Sequence, residues 1–263
     1  MKIFDCFTYF NEDLILEIRL QTLDKFVDKF IIIEAGQDHQ GNKKKKNFDI
    51  NHFSKFKNKI NYFYIENFPN LNYSWDRENY QRNYISQCIK EAKTDDLIII
   101  SDVDEIPNLE KFEIQKTKSK FIVFEQKMFY YKLNLLLHSQ PIWHGSRACK
   151  KKYLKSPQWL RSQKTQTKYP FWRFDKVKFD CIKNGGWHFS YLETPDGIVK
   201  KIKSYAHTEY NLPEFTNEKK VEELINKQQD IFGRNLKFEP VKLDKTFPQY
   251  ILENKIKFQN WIV

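Results

Sequence analysis

Three carboxylates fall within four residues at Asp102-Val103-Asp104-Glu105, immediately after the apolar run Leu97-Ile98-Ile99-Ile100 and Ser101. Acids packed this closely repel one another, and a hard divalent cation, Mg²⁺ or Mn²⁺, is the usual way to make the arrangement favourable. Such an ion would hold a diphosphate and stabilise its oxygens as it departs. The apolar run reads as a buried strand. The i, i+2 spacing of Asp102 and Asp104 therefore lets both point from its end into the crevice where open α/β sheets bind ligands. Pro107 is expected to stop the ladder. The competing account is a solvated turn, in which Asp102 caps and Asp104-Glu105 open a helix.

The elements that must position this cluster are readable upstream. Lys2 to Phe10 suggests a strand, and Asn11 is a candidate N-cap for a helix in which Leu14, Ile15, Ile18, Leu20, Leu23, Phe26 and Val27 recur at helical spacing. Phe30 to Glu34 is a continuous apolar run of the kind a buried parallel strand shows. After a polar loop, a short basic helix and a strand at Ile60 to Ile65, the unit repeats as a helix over Asp76 to Ala92 and the strand that ends in the acidic cluster. Alternating β and α over the first hundred residues predicts an α/β fold, with a mainly parallel central sheet and helices on both faces.

Beyond Pro107 the pattern changes. Phe121 to Glu125 and Met128 to Leu137 read as longer, half-exposed strands, and the stretch containing Trp143, Trp159 and Trp172 reads as irregular. Helices are expected at Asp196 to Tyr205, Pro213 to Phe232 and Gln249 to Trp261. The expected organisation is a nucleotide-binding half over 1–107, an acceptor half over 108–212 and a C-terminal helical extension over 213–263.

The chain has 263 residues and a net charge of +11, with 40% hydrophobic and 16% aromatic content, which excludes a disordered chain. Residues 147–183 hold 12 Lys or Arg against Asp175 and Asp180, a local +10 that should attract an anion: a diphosphate, an anionic glycan, a lipid surface or nucleic acid. The Lys43 to Lys46 run reads as solvated loop. Cys6, Cys88, Cys149 and Cys181 form no CxxC pair and are read as free thiols in a reducing compartment. With no apolar span of ~20 residues and no cleavable leader, a cytoplasmic protein is expected, with contact at the membrane surface left open.

Three motifs occur in order: Trp75-Asp76-Arg77-Glu78-Asn79-Tyr80-Gln81-Arg82-Asn83, Ser101-Asp102-Val103-Asp104-Glu105-Ile106-Pro107, and Gly186-Trp187-His188-Phe189-Ser190-Tyr191. With Phe10-Asn11-Glu12, Glu34-Ala35 and Ser204-Tyr205-Ala206-His207-Thr208-Glu209, they make residues 1–212 resemble glycosyltransferase family 17, the β-1,4-N-acetylglucosaminyltransferases that add the bisecting residue to N-glycans, with their bacterial and viral relatives. The resemblance implies a GT-A fold, a UDP-sugar donor with UDP-N-acetylglucosamine favoured, a glycan acceptor, Mn²⁺ or Mg²⁺, and inversion at the anomeric carbon. Asp102 and Asp104 would be its DxD, with Asp104 the direct metal ligand, Asp102 nearer the ribose and the metal waters, and Glu105 in support. Phe10 and Glu34, ending the first two strands, would meet the nucleotide, although Glu34 equally suits a cap. The family's animal members carry an N-terminal membrane anchor and stem, and neither is expected here, so a Golgi location and an N-glycan acceptor are not carried over as expectations.

Arg77 and Gln81 are i, i+4 and share a helix face, while Arg82 points about 100° further round. An Arg77 fork suits a diphosphate, and equally a surface ion pair with acidic neighbours. Two histidines compete for a metal position. GT-A enzymes supply one late in the domain, which suits His207, leaving His188, with Trp187 and Tyr191, to the acceptor side. A buried, hydrogen-bonded histidine is the plain alternative for each. Inversion needs a base, for which His188 and Glu209 are the candidates, with Glu193 ranked below them and Glu105 in the supporting position. A haloacid-dehalogenase-like phosphatase and a non-catalytic anionic-polymer or nucleic-acid binder remain as other classes; the first lacks its later Gly-Asp-x-x-x-Asp motif and the second does not need the acidic cluster.

Overall fold

The computed structural model describes residues 1–113, 116–165 and 176–263. Trp172 and Asp175, cited above for the basic stretch, lie outside them.

The first half follows the predicted alternation: β1 (Ile3–Tyr9), α1 (Asp13–Leu23), β2 (Lys29–Ala35), β3 (Ile60–Ile65), α2 (Ser74–Cys88) and β4 (Leu97–Asp102). β1 is central, pairing in parallel with β2 and β4, and β3 pairs in parallel with β2. Side chains alternate across these strands, so two cores form. Ile99, Ile32 and Phe7 meet Leu16, Leu20 and Leu23 of α1 on one face, while Ile98, Ile31 and Cys6 meet Ile85 and Cys88 of α2 on the other. The α/β class with helices on both faces is thus as expected.

The second half continues the same sheet through β5 (Glu105–Pro107), β6 (Phe121–Tyr130), β7 (Leu135–Leu137), β8 (Ile142–Lys150), α3 (Pro157–Ser162), β9 (Phe179–Ile182), β10 (Gly186–Ser190), α4 (Pro195–Ser204), α5 (Glu218–Asn226), β11 (Phe238–Pro240) and α6 (Gln249–Glu253). Here the sheet becomes mixed, because β8 runs antiparallel to both β4 and β6 while β9 and β10 run parallel to β6. The two half-exposed strands expected at 121–137 are instead one long strand, largely buried, and a short second one, because β6 lies inside the sheet with partners on both sides. The stretch read as irregular carries β8, α3 and β9. Pro107 does end a ladder, but only after Glu105 to Pro107 have paired with β10.

Helix starts follow their caps. Thr194 accepts from the Gly197 N–H with Pro195 at the first turn, and Asn217 accepts from the Lys220 N–H, which sets α5 at Glu218 rather than Pro213. Asn11 is not the cap of α1. Glu12 takes that place, and its carboxylate binds the N–H groups of Phe10 and Asn11 behind it. The C-terminal segment adds β11 to the sheet beside β7 and buries Phe247, Ile251 and Phe258 in the α1-side core.

Candidate active site

The acidic loop leaves β4 at Asp102, turns at Val103-Asp104 and re-enters the sheet at Glu105. Arg19, fully buried on α1, holds it from below. Its guanidinium pairs with Asp5 of β1 at 2.5 and 2.8 Å, and its Nη1 donates to the carbonyls of Asp102, Val103 and Glu105 at 3.1, 3.2 and 2.7 Å. A buried guanidinium neutralised by a carboxylate and satisfied by carbonyls fixes a backbone that no regular ladder could hold.

Glu105 is equally saturated. It accepts from the Asp102 N–H at 3.0 Å, the Trp143 indole at 2.7 Å and both Arg161 amino groups at 2.7 and 2.9 Å. Gly145 makes the approach possible, since a Cβ there would stand 2.9 Å from the Glu105 carboxyl carbon and 2.0 Å from the Gln126 amide oxygen. Asp102 receives Arg82 at 3.0 Å on one oxygen and Arg161 at 2.9 Å on the other. Arg82 is shared with Glu78 at 2.8 Å and Gln158 at 2.5 Å. Burial would raise the Asp102 carboxyl, but Arg161 and Arg82 outweigh it and hold it far below the usual range.

Asp104 is held differently. Its oxygens lie 3.4 Å from His188 Nε2 and 3.5 Å from Lys201 Nζ, both longer than a charge-assisted hydrogen bond. Lys201 also faces Glu12 at 3.7 Å. Burial opposes ionisation of Asp104, yet Lys201 and His188 bring its carboxyl down to about 2. Burial likewise disfavours the His188 cation, and Asp104 reverses that, so the imidazole is raised. His188 Nδ1 is buried without a hydrogen-bond partner. A loosely held carboxylate beside an imidazole Nε2 is a donor set that suits a divalent ion.

These groups border a cavity of about 320 Å³ at the carboxyl ends of β1, β2 and β4. Its floor is Asp102, Val103 and Asp104; Thr8, Tyr9, Phe10 and Ala35 form the strand-end wall, and Tyr191, Lys201, Tyr205 and His207 the opposite one. The loop after β2 borders it and is anchored to the end of α4: the His39 N–H donates to the Ser204 carbonyl at 2.9 Å and the Gln40 amide to the Tyr205 carbonyl at 2.6 Å.

Of the residues singled out from sequence, Phe10, Gln81, Arg82, Asp102, Asp104, His188, Tyr191 and His207 line this cavity. The others stand elsewhere. Glu34 is buried and binds Lys44, the N–H groups of Asn47 and Phe48, and the Tyr62 hydroxyl, so it fastens the lysine-rich loop. Arg77 donates to the His39 and Leu71 carbonyls. Trp187 is buried with its indole on the Thr246 carbonyl, bordering a second cavity on the α1 side. Gly186, at φ +143°, is needed for β5, since a Cβ would lie 2.1 Å from the Ile106 carbonyl oxygen. Glu209 is exposed and paired with His207 at 2.7 Å. Glu105 has no free edge. Neither acid therefore meets the requirement for a base within reach of the cavity in this conformation.

Sequence reasoning missed Arg19, Lys201 and Arg161, and gave Glu12 no role beyond its place in a motif. The only signal for Arg161 was the local basic excess, and much of that excess is spent internally. Arg147 donates to the Leu160 carbonyl, Lys151 to the Ala92 carbonyl, and Lys150 and Lys152 pair with Asp95.

A cleft floored by paired carboxylates at the ends of parallel strands is where an α/β enzyme takes its ligand. The chain belongs to glycosyltransferase family 17, whose model matches residues 1–237, and it is a glycosyltransferase. No curated protein matches it. Among solved structures, a glycosyltransferase involved in the glycosylation of the major capsid of PBCV-1 is similar at 11% identity, over 70% of this chain and 82% of that one, with a TM-score of 0.34. The inositol-1-phosphate CTP transferase from T. maritima is similar at 8% identity, over 100% and 98%, with a TM-score of 0.33. Likenesses this weak carry no weight for the site. Among the described residues no helix is long and apolar enough to cross a membrane.

Proposed function

We propose that this glycosyltransferase moves a sugar, N-acetylglucosamine in the favoured case, from a UDP donor to a glycan acceptor, with inversion and with a divalent ion held at Asp104. The observation that carries the reading is the unequal treatment of the two DxD carboxylates, Asp102 held by two guanidiniums at 2.9 and 3.0 Å and Asp104 only loosely paired, at 3.4 Å to His188 Nε2 and 3.5 Å to Lys201. Asp104 and His188 Nε2 would hold Mn²⁺ or Mg²⁺, and Asp102 would meet its waters. When bound, the ion supplies charge neutralisation to the departing diphosphate. The protein's own part is to orient. Arg19 and Glu105 fix the loop, Phe10 and the ends of β1 and β2 offer a wall for the nucleotide base, and the loop after β2 is pinned to the end of α4 beside it. A GT-A fold accords with the parallel strand order of the first half.

A second reading rests on Lys201, whose ammonium stands in the cavity between Asp104 and Glu12 and offers positive charge to a diphosphate without any metal. Thermal shift with UDP and UDP-sugars, in Mn²⁺ or in chelator, separates the two. The metal reading expects stabilisation by UDP only with Mn²⁺, abolished by Asp104→Ala. Stabilisation in chelator that survives Asp104→Ala and disappears in Lys201→Met would replace it with the second.

A further inference from the structure

Away from the acidic loop, three different ligand types meet on adjacent strands. Glu125 of β6 and His144 of β8 are register partners, brought opposite one another by a shift in pairing after Val123. Cys181 of β9 lies across the other edge of β6, opposite Val123. Its Sγ stands 4.0 Å from Glu125 Oε2 and 4.0 Å from His144 Nε2, and one ligand atom from each of the three falls within 4.8 Å of the others. Among the described residues this is the one group of three or more His, Cys, Asp or Glu so assembled.

The geometry nearly closes on an ion. Tetrahedral zinc with bonds of about 2.3 Å to sulfur and about 2.0 Å to nitrogen separates those two atoms by about 3.5 Å, so the Cys181–His144 pair has to contract by about half an ångström and the Glu125–His144 pair, within 4.8 Å, by at most about 1.5 Å. His144 is oriented from behind, its Nδ1 3.1 Å from the Thr165 hydroxyl, which leaves Nε2 facing Cys181; metal-binding histidines are usually held through their other nitrogen in this way. The Lys183 ammonium, 2.6 Å from Glu125 Oε2, now supplies the opposing charge, and it is 73% exposed, so it is free to swing into solvent.

We propose that Glu125, His144 and Cys181 form a second cation site, for a borderline-soft divalent ion of the zinc class, independent of the acidic loop. Thiolate and imidazole select such an ion, whereas the carboxylates of the acidic loop suit Mg²⁺ or Mn²⁺, so the two sites sort their metals by ligand softness. Three protein ligands leave a fourth position for water. An ion here ties β9 to β8 across β6.

Cobalt titration of the full, tag-free chain tests this directly, because only a thiolate ligand gives an intense near-ultraviolet charge-transfer band. One equivalent is expected to produce the band, Zn²⁺ to bleach it, Cys181→Ser and His144→Gln each to remove it, and Asp104→Asn to leave it. Zinc should also raise the melting temperature of the unmodified chain but not of His144→Gln, so a poorly folded Cys181→Ser does not decide the matter alone. Absence of the band at saturating cobalt overturns the proposal, as does a band that persists in Cys181→Ser or vanishes in Asp104→Asn.

Discussion

Beneath the acidic loop the contacts are short and mutually neutralising: Arg19 on Asp5 and three carbonyls, Arg161 on Glu105 and Asp102. Above it, on the cavity side, Asp104 faces His188 and Lys201 at 3.4 and 3.5 Å. Buried ion pairs with such complete satisfaction hold geometry more than they add stability, whereas loosely paired charge is ready to exchange its partner for a ligand. The difference separates scaffold from reaction site within four consecutive residues. It also explains how three acids coexist on so short a loop, since the cations that pair with them come from α2, α3 and α4, while Arg19 of α1 holds the backbone.

The largest effect should come from breaking the floor. Arg19→Met leaves Asp5 buried and unpaired and takes a donor from three carbonyls, of which that of Glu105 keeps the Ser146 hydroxyl, so unfolding in urea should show a loss of about 3–5 kcal/mol. Asp5→Asn with Arg19→Met should recover part of it. A single variant within about 1 kcal/mol of the unmodified protein would mean the loop does not depend on this anchor.

The rim predicts a smaller, pH-dependent effect. Asp104 has a folded-state carboxyl pulled down to about 2 by Lys201 and His188 against its burial, and an unfolded one near the ordinary ~3.9. A depressed carboxyl contributes stability that is complete above the unfolded value and is lost as pH falls toward the folded one. The stability gap between the unmodified chain and Asp104→Asn should therefore be flat above about pH 5 and narrow by about 2 kcal/mol as pH falls toward 2. Urea unfolding of both proteins at several pH values reads it, and a gap independent of pH would show that Lys201 and His188 do not stabilise the ionised form.

The floor and the rim were not equally legible. The buried strand, its terminal carboxylates and the helices before it follow from apolar runs and helical spacing, which depend on neighbours in sequence. Arg19 was hidden inside an apolar helical pattern, and nothing local says that its partners are the carbonyls of residues 102, 103 and 105. Lys201 sits 97 residues from Asp104, and Arg161 56 residues from Glu105, so only the fold reveals those pairings. β8 was obscured because its basic residues suggested solvent, while Arg147 turns its guanidinium inward to a carbonyl, and β9 because four residues are too few to show a period. Even the helix-face argument misled in part: Arg77 and Gln81 share a face, yet Arg77 ties down a loop while Arg82, a step further round, reaches Asp102.

The finest discrimination lies between the two histidines of the cavity. The position late in the domain favours His207 as metal ligand, but its Nδ1 is engaged by Glu209 and its ring packs against Trp75 at 4.7 Å. His188 presents Nε2 to Asp104 and is carried by β10, whose Phe189 N–H is bonded to the Asp104 carbonyl at 3.0 Å, so ring and carboxylate are positioned by one piece of sheet. A ligand pair set by a shared strand contact needs less ordering than one that must bring in an exposed side chain. His188→Ala should raise the Mn²⁺ concentration giving half-maximal UDP-dependent stabilisation about tenfold, and His207→Ala by less than about twofold. The reverse order would move the ion to the His207 wall and leave His188 as a partner of Asp104 alone.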